Sequence, residues 1–356
     1  MTSDQSQNVS EGAYAIQAGG SVTVGMSKAD VQAVMQEVLK RAIEYSAEAD
    51  AKAVARIAEL KEELLQCFAD GRADSEAIKE PDFQHTLREA HNAYARSGDS
   101  VVRENLVDII SRRSKCGQGT LEALALNDAA TRAANLTSSE FAALTVIYLI
   151  RYTINPRVVT FEAFGGYLRS QLLPFINFLP QGNASFWHMS SQSVGSQEIG
   201  EVSFRANLMS KYGGVLGKGL PKEVVYQKNK GKEHLLLHIM TQSQRDKNCI
   251  RPNAMNKDKF IENFKGKYVA GEVMRGSLSE AELTIIWNDY EATIPQGDDF
   301  RSLLEDACQG MGVLMDRWEN TSLKSFSLNS AGIAIAHANA VRVVNFDAPL
   351  SVWINS

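Results

Sequence analysis

The feature that most constrains the fold is an uninterrupted helical pattern between Ser27 and Phe68. Its apolar positions step by three and four residues, and no proline or glycine occurs until Gly71. About 40 residues at a rise of 1.5 Å per residue make a rod of roughly 60 Å. Such a length is typical of a coiled coil or of a helix that runs the length of a molecule, and an ordinary core helix with a narrow stripe is the alternative. The stripe comprises Val31, Met35, Val38, Ala42, Tyr45 and Ala49, then Ile57, Leu60, Leu64 and Cys67.

A short alternating segment precedes this helix. Apolar residues alternate on both sides of Gly19-Gly20, which predicts two short strands and a tight turn over residues 12–26. A two-stranded ribbon is marginally stable in water, so we expect it to pair with copies from other subunits of a homo-oligomer. Residues 1–11 are polar and are expected to be a disordered tail. The residues predicted to form the assembly are Ile16, Gly19, Gly20, Val22 and Val24 in the ribbon, and Val31, Met35 and Val38 in the helix.

The remaining pattern predicts a mainly α protein with a smaller α+β C-terminal part. Residues 27–180 are typical of an all-helical domain, in which Thr137 and Glu140 form a capping box before a buried helix over Ser138–Tyr152. Glycines are frequent beyond Pro180, so residues 181–356 are assigned to a second, α+β domain. Its predicted strands are Val224–Tyr226 and Leu235–Met240, a hairpin with a lysine-rich tip, and its predicted helices include Asp258–Phe264, Glu280–Tyr290, Phe300–Trp318 and Ser330–Val344.

Composition favours a cytoplasmic protein without a membrane span. The four cysteines are far apart and contain no C-x-x-C pair, which fits buried thiols in a reducing compartment. The first residues lack the basic and apolar regions of a signal peptide. The longest apolar run, Phe141–Ile150, is about half of the roughly 20 residues that a membrane helix needs. The net charge of −5 does not mark the whole chain as a nucleic-acid binder.

Three stretches together resemble a known family. They are Ala15–Gly20, the block from Leu124 to Tyr152, and the end from Gly332 to Ile354. They are similar to a family of uncharacterised bacterial cytoplasmic proteins, and similar glycine-rich openings occur on proteins of bacterial phage-defence systems. The shared motifs are hydrophobic and structural, so the resemblance implies a role in bacterial antiviral defence and assigns no catalytic residue.

Two stretches invite comparison with known sites. Tyr212–Gly219 resembles a phosphate-binding loop, but Tyr212 stands in place of its first glycine and Gly219 in place of its hydroxyl residue. A flexible loop is therefore expected there. His234 and His238 lack the order of a zinc-protease motif, so a half-buried strand with polar outer residues is expected instead of a metal site. No cofactor is expected.

Charge is segregated along the C-terminal half. Residues 211–267 contain 13 basic residues against five acidic ones, whereas residues 272–319 contain 11 acidic residues against three basic ones. Basic residues interleaved with aromatic ones suit nucleic acid or an anionic membrane. The alternative is that the two segments neutralise each other within the fold or between subunits. The residues proposed for an anionic partner are Lys218, Lys222, Lys228, Lys230 and Lys232.

Three functions follow from these patterns. The first is a non-enzymatic, self-assembling protein of a bacterial defence or stress response, which acts by oligomerisation and by binding a partner or ligand. The second is a basic-patch module that binds nucleic acid or an anionic surface. The third is an enzyme whose dispersed site has no signature in the sequence.

Overall fold

The protein is mainly α-helical with small antiparallel sheets, as the sequence predicts. The structure is a computed structural model that describes residues 28–266 and 277–354. The helices within these residues are α1 (Lys28–Ala69), α2 (Pro81–Ser97), α3 (Ser100–Ser114), α4 (Leu121–Ala133), α5 (Ser138–Ile147), α6 (Phe161–Tyr167), α7 (Ala184–Ser191), α8 (Phe204–Leu216), α9 (Lys222–Lys228), α10 (Glu233–Ile239), α11 (Lys257–Phe264), α12 (Glu280–Glu291), α13 (Gly297–Ala307), α14 (Met311–Asn320), α15 (Ser330–Val344) and α16 (Ser351–Ile354).

Side-chain caps set the starts of several helices. The predicted capping box at α5 is confirmed: Thr137 accepts from the backbone N–H of Glu140, and the Glu140 carboxylate accepts from that of Thr137. Ser279 and Glu282 form a second capping box at α12. The predicted bounds of α15 are confirmed, and the Asn329 side chain caps its start. Beyond Ile147 the predicted helix continues as a π-helical turn over Tyr148–Tyr152.

The chain divides into a unit of residues 1–54 and a unit of residues 55–356. The first unit contains the N-terminal part of α1. In the second unit α15 packs against α3, α4 and α5, and its residues from Ala331 to Ala340 are buried. The predicted boundary at residue 180 lies within this second unit. A smaller cluster of buried apolar side chains, including Leu236, Phe260 and Trp287, joins α10, α11 and α12.

Two small sheets connect parts of the chain that are distant in sequence. Strand β1 (Gly195–Gln197) pairs antiparallel with β5 (Phe326–Leu328), with Ser196 opposite Ser327. Strands β2 (Leu220–Pro221), β4 (Cys249–Pro252) and β3 (Met240–Gln242) form a second antiparallel sheet in that order. Leu220 lies opposite Ile250, and Thr241 lies opposite Arg251.

Two predicted elements are wrong. The hairpin of Val224–Tyr226 and Leu235–Met240 is replaced by the helices α9 and α10, with only Met240 in a strand. Short apolar runs fit either period, and the buried Leu235, Leu236 and Ile239 fit one helical face.

The predicted single helix Phe300–Trp318 is two helices, α13 and α14. Gly310 separates them with a φ of 95°, a left-handed conformation that glycine adopts without a steric penalty. Across the described ranges, no helix combines the length and apolarity needed to cross a membrane.

Candidate functional site

The first candidate site is the apolar surface of α1 between Val34 and Val54. Its large apolar side chains are all more than half exposed, with Met35 at 60% and Ile43 at 71%. In residues 55–69 the helix instead buries Leu60, Leu64 and Cys67. Contiguous exposed apolar residues are typical of interaction surfaces. The residues of this surface, which we call the α1 stripe, are Val34, Met35, Val38, Leu39, Ile43, Tyr45 and Val54.

The predicted assembly residues fall into two groups. Met35 and Val38 belong to the α1 stripe. Val31 lies within α1, but its side chain is outside the described part of the structure. The predicted ribbon lies wholly outside the described residues, and with it Ile16, Gly19, Gly20, Val22 and Val24.

The second candidate site is the basic segment, and three of its lysines pair with the acidic segment. Each of these three pairs joins a lysine ammonium to a carboxylate of α12. For these three lysines, the pairing supports the alternative that the basic and acidic segments neutralise each other within the fold. The pairs are Lys228–Asp289 (2.7 Å), Lys232–Glu282 and Lys265–Glu280 (2.5 Å).

The other predicted lysines are arranged differently. Lys218 Nζ lies 3.4 Å from Asp246 Oδ2, an acidic residue of its own segment. The Lys222 ammonium lies 5.7 Å from the centre of the Tyr226 ring, within the range of a cation–π contact. Lys230 is exposed in the turn after α9. The five lysines therefore do not form one set of equivalent, solvated cations.

Some cations of the basic segment bind backbone carbonyls instead of facing solvent. Lys211 Nζ donates to the carbonyl oxygen of Ile150 at 2.6 Å, and burial lowers the pKa of this ammonium to about 8. Arg245 donates to the carbonyl of Leu216 at 2.7 Å. These contacts hold α8 and the end of the π-helical turn in place, so part of the basic segment is structural.

The glycine-rich stretch Tyr212–Gly219 was predicted to be a flexible loop, and most of it is helical instead. Its residues Tyr212 to Leu216 form the end of α8, and Gly214 packs against the chain near Ala254. A Cβ on Gly214 would meet the Ala254 carbonyl oxygen at 1.9 Å. The Tyr290 hydroxyl accepts from the N–H of Gly217 at 3.0 Å and donates to the carbonyl of Gly213 at 2.9 Å. The glycines here serve close packing.

The histidines also lack the features of a metal site. His234 and His238 lie on α10, not on a strand. In the part of the chain that the structure describes, no group of three or more His, Cys, Asp or Glu side chains is placed to hold a metal ion. His188 Nδ1 lies 2.7 Å from Oε1 of Glu140, which is 2% exposed. This contact ties α7 to the capped start of α5.

A cavity beside α3 was not predicted from the sequence. Its charged side chains include Arg72, Lys115 and Arg342, from three stretches that are far apart in the chain. Arg112 also lines the cavity, and its place at the C-terminal end of α3 follows the preference for cations there. That preference does not predict a cavity, which forms only where α3 lies beside Glu63, Arg72 and α15.

Comparison with known proteins places the chain in one sequence family. The sequence model of a family of uncharacterised proteins matches residues 25–354, nearly the whole chain. The match begins after the glycine-rich stretch at residues 15–20 and carries no information about phage defence. No curated protein and no solved structure matches the chain.

Proposed function

The chain belongs to this uncharacterised family, and we propose that it is a non-enzymatic, self-assembling protein whose copies associate through α1. The α1 stripe is the observation that carries the proposal, because its seven large apolar side chains are each more than half exposed. Burying such side chains contributes roughly 25 cal/mol per Å² of apolar surface. Association along one face of the helix would remove Val34, Met35, Val38, Leu39 and Tyr45 from water.

The spacing of the apolar residues favours a second copy of the chain as the occupant. Met35, Val38, Ala42, Tyr45 and Ala49 step by three and four residues in turn. This spacing averages 3.5 residues, at which two helices keep an apolar seam in continuous contact. A second copy presents the same seam, and Val34 and Leu39 widen it on either side.

Two parts of the proposal rest on the sequence alone. The ribbon over residues 12–26 would pair with its copies where the aligned helices begin. The setting in a bacterial defence or stress response comes from the resemblance of the glycine-rich opening. Pairing along α1 together with a shared ribbon at one end would give an oligomer with one defined number of copies, since homo-oligomers usually adopt closed symmetry.

The mass in solution tests this function. Light scattering on the full chain should give a multiple of the 39.1 kDa of one chain. Changing Met35 and Val38 to Glu should lower that mass because it places charges on the seam. The matched control changes Ala33 and Gln36, exposed residues that face away from the seam and have the same spacing, to Glu and should leave the mass unchanged. A wild-type chain that is monomeric at tens of micromolar, roughly the range of weak dimers, would contradict the proposal.

A deletion distinguishes assembly through the helix from assembly through the ribbon. Removing residues 1–26 should lower the mass of the oligomer only if the ribbon also pairs between copies. An unchanged mass after deletion, together with a lowered mass for the Glu variant, would assign assembly to α1 alone.

The alternative function, binding of nucleic acid or an anionic membrane by residues 211–267, has less support. Lys228, Lys232 and Lys265 are already paired with acidic residues of the chain. A polyanion would have to compete with these carboxylates for the same ammonium groups.

A further inference from the structure

A cavity of about 550 Å³, lined mainly by charged residues, lies beside α3 within residues 55–356. Its volume is in the range of small-molecule sites. One face of α3 forms its long wall, because residues three and four positions apart share a side of a helix. The opposite wall comes from Glu63 of α1, from Arg72 and from the C-terminal end of α15. The wall residues of α3 and the following position are Glu104, Val107, Asp108, Ser111, Arg112 and Lys115.

The carboxylates of the lining are already paired with arginines. Each has a guanidinium nitrogen within 2.7 Å of a carboxylate oxygen, so none is left to attract a cation. The pairs are Asp108–Arg112 (2.6 Å), Glu104–Arg342 (2.6 Å) and Glu63–Arg103 (2.7 Å).

Two cations at one end of the cavity are held less firmly. Lys115 Nζ donates to the carbonyl oxygen of Gly71, the residue before Arg72, at 3.1 Å. Arg72 Nε lies 2.9 Å from Asp70 Oδ2, and both side chains of this pair are more than 40% exposed. Exposed pairs of this kind contribute little and open readily. Arg72 and Lys115 are therefore available to an anion that enters the cavity.

Two buried polar atoms of the lining have no hydrogen-bond partner among the described residues. One is the hydroxyl oxygen of Ser111, a residue that is 7% exposed, and the other is Nε of Arg342. A buried polar group left unpaired destabilises the protein, so a partner for it is favourable. Both atoms can donate a hydrogen bond, so a ligand with acceptor oxygens would satisfy both, although the Ser111 hydroxyl can also accept.

We propose that this cavity binds a small molecule that carries a phosphate group. The phosphate would lie between Arg72 and Lys115, with the Ser111 hydroxyl donating to one of its oxygens. A phosphate offers several acceptor oxygens and up to two negative charges, which suits donors that converge from different elements. A carboxylate offers only two oxygens and one charge, so it would leave part of this set unsatisfied.

Calorimetric titration of the full chain tests the proposal. The probes are inorganic phosphate, inorganic pyrophosphate and citrate, each at the same ionic strength set with sodium chloride. Saturable binding of phosphate or pyrophosphate with a Kd below about 1 mM supports the site. Binding of citrate without either phosphate probe would overturn it in favour of a carboxylate ligand.

Substitutions locate the binding. Lys115→Ala and Arg72→Ala should each weaken pyrophosphate binding about tenfold or more, since each removes a charge-assisted contact. Ser111→Ala should weaken it several-fold without lowering Tm, because it removes a hydroxyl that has no partner in the described structure. The matched control is Lys79→Ala, whose exposed ammonium lies outside the cavity and pairs with Glu76.

The remaining outcomes are decisive. No saturable binding of either phosphate probe to the wild-type chain would overturn the proposal. An equal loss of affinity in Lys79→Ala would assign the binding to general surface charge and would also overturn it. If Lys115→Ala lowers Tm or helical circular dichroism, Lys115→Gln replaces it, since it retains the length of most of the side chain and removes only the charge.

Discussion

Lys228 Nζ lies 2.7 Å from Asp289 Oδ2, so a residue of the basic segment pairs directly with a residue of the acidic segment. Lys232 and Glu282 form a second contact between the same two helical regions. The charge segregation seen along the sequence is thus partly neutralised when α9 and α10 come to lie beside α12. These side chains are about a third to a half exposed, so each pair contributes only modestly to stability.

Reversing the charges of Lys228 and Lys232 tests this pairing. Changing both to Glu should lower Tm by about 2–4 °C, because each change replaces an attraction of up to about 1 kcal/mol with a repulsion. The effect should shrink at high salt, since exposed charges are screened. Scanning calorimetry at two salt concentrations measures both expectations.

Lys230→Glu is the matched control for this variant. Lys230 is exposed in the same turn region, and its reversal should leave Tm within about 1 °C. Adding Asp289→Lys to Lys228→Glu should restore Tm, whereas Glu282 is left unchanged because its carboxylate also caps α12. If nucleic-acid affinity falls with Lys230→Glu and Tm stays constant, the basic-patch function gains support.

The contact between Lys232 and Glu282 also predicts that the stability of the protein depends on pH. The hydrogen bond from Lys232, followed by those from the backbone and hydroxyl of Ser279, lowers the pKa of Glu282 from 4.5 to about 2. Because the folded pKa lies below the unfolded one, the stability from this group is present above about pH 4.5 and is lost as pH falls through about 2. Tm should therefore fall more steeply between about pH 4.5 and 2 in the wild type than in Glu282→Gln. Parallel curves would contradict this assignment.

The fold was predictable where a helix carries its own local signals. The capping box of Thr137 and Glu140 predicts the start of α5. The apolar pattern of residues 330–344 predicts both ends of α15. The strand prediction at Leu235–Met240 failed because a run of six residues is too short for its period to be read. In the structure Leu235, Leu236 and Ile239 are buried on one face of α10 and join the cluster that contains Phe260 and Trp287.

The candidate sites were predictable to different degrees. The α1 stripe follows from spacing, since Met35 and Val38 already stand out in the sequence. Its exposure does not follow, because the same spacing describes Leu60 and Leu64, which are buried. The cavity beside α3 had no sequence signature, since its residues become neighbours only through tertiary packing.

Gly214 and Gly213 offer a test of the close packing at α8. Gly214→Ala should destabilise the protein by about 1–3 kcal/mol, because the added Cβ would meet the Ala254 carbonyl oxygen at 1.9 Å. Gly213→Ala in the same helix meets only the Trp287 ring at 3.4 Å and should be neutral or stabilising by up to about 1 kcal/mol. Urea unfolding of the two variants compares them. Equal stabilities would show that α8 and the chain near Ala254 are not in contact.

Leu144 tests the position of the core. It is fully buried in α5, so Leu144→Ala should cost about 2–5 kcal/mol of the free energy of unfolding. Leu124 on α4 is 52% exposed, and Leu124→Ala should cost less than about 1 kcal/mol. Denaturant unfolding followed by circular dichroism measures both. A small cost for Leu144→Ala would place the core elsewhere.

Disulfide trapping tests the geometry of the proposed α1 pairing. Ala42 and Ala47 are both exposed alanines of α1, but only Ala42 falls within the three-and-four spacing of the seam. Parallel copies in register would bring the two Ala42 positions together across the seam, within the Cα separation of about 4.4–6.8 Å that a disulfide requires. Ala42→Cys should therefore form a covalent dimer under mild oxidation, and Ala47→Cys should not.

The experiment uses a Cys116→Ser background, because Cys116 is only partly buried while Cys67, Cys249 and Cys308 are buried. Non-reducing electrophoresis reads the fraction of cross-linked chain over a series of protein concentrations. Equal cross-linking of both variants would indicate random collision of exposed helices. Cross-linking of neither variant in a chain that light scattering shows to be oligomeric would exclude parallel, in-register pairing and leave antiparallel copies of α1 or another surface as the interface.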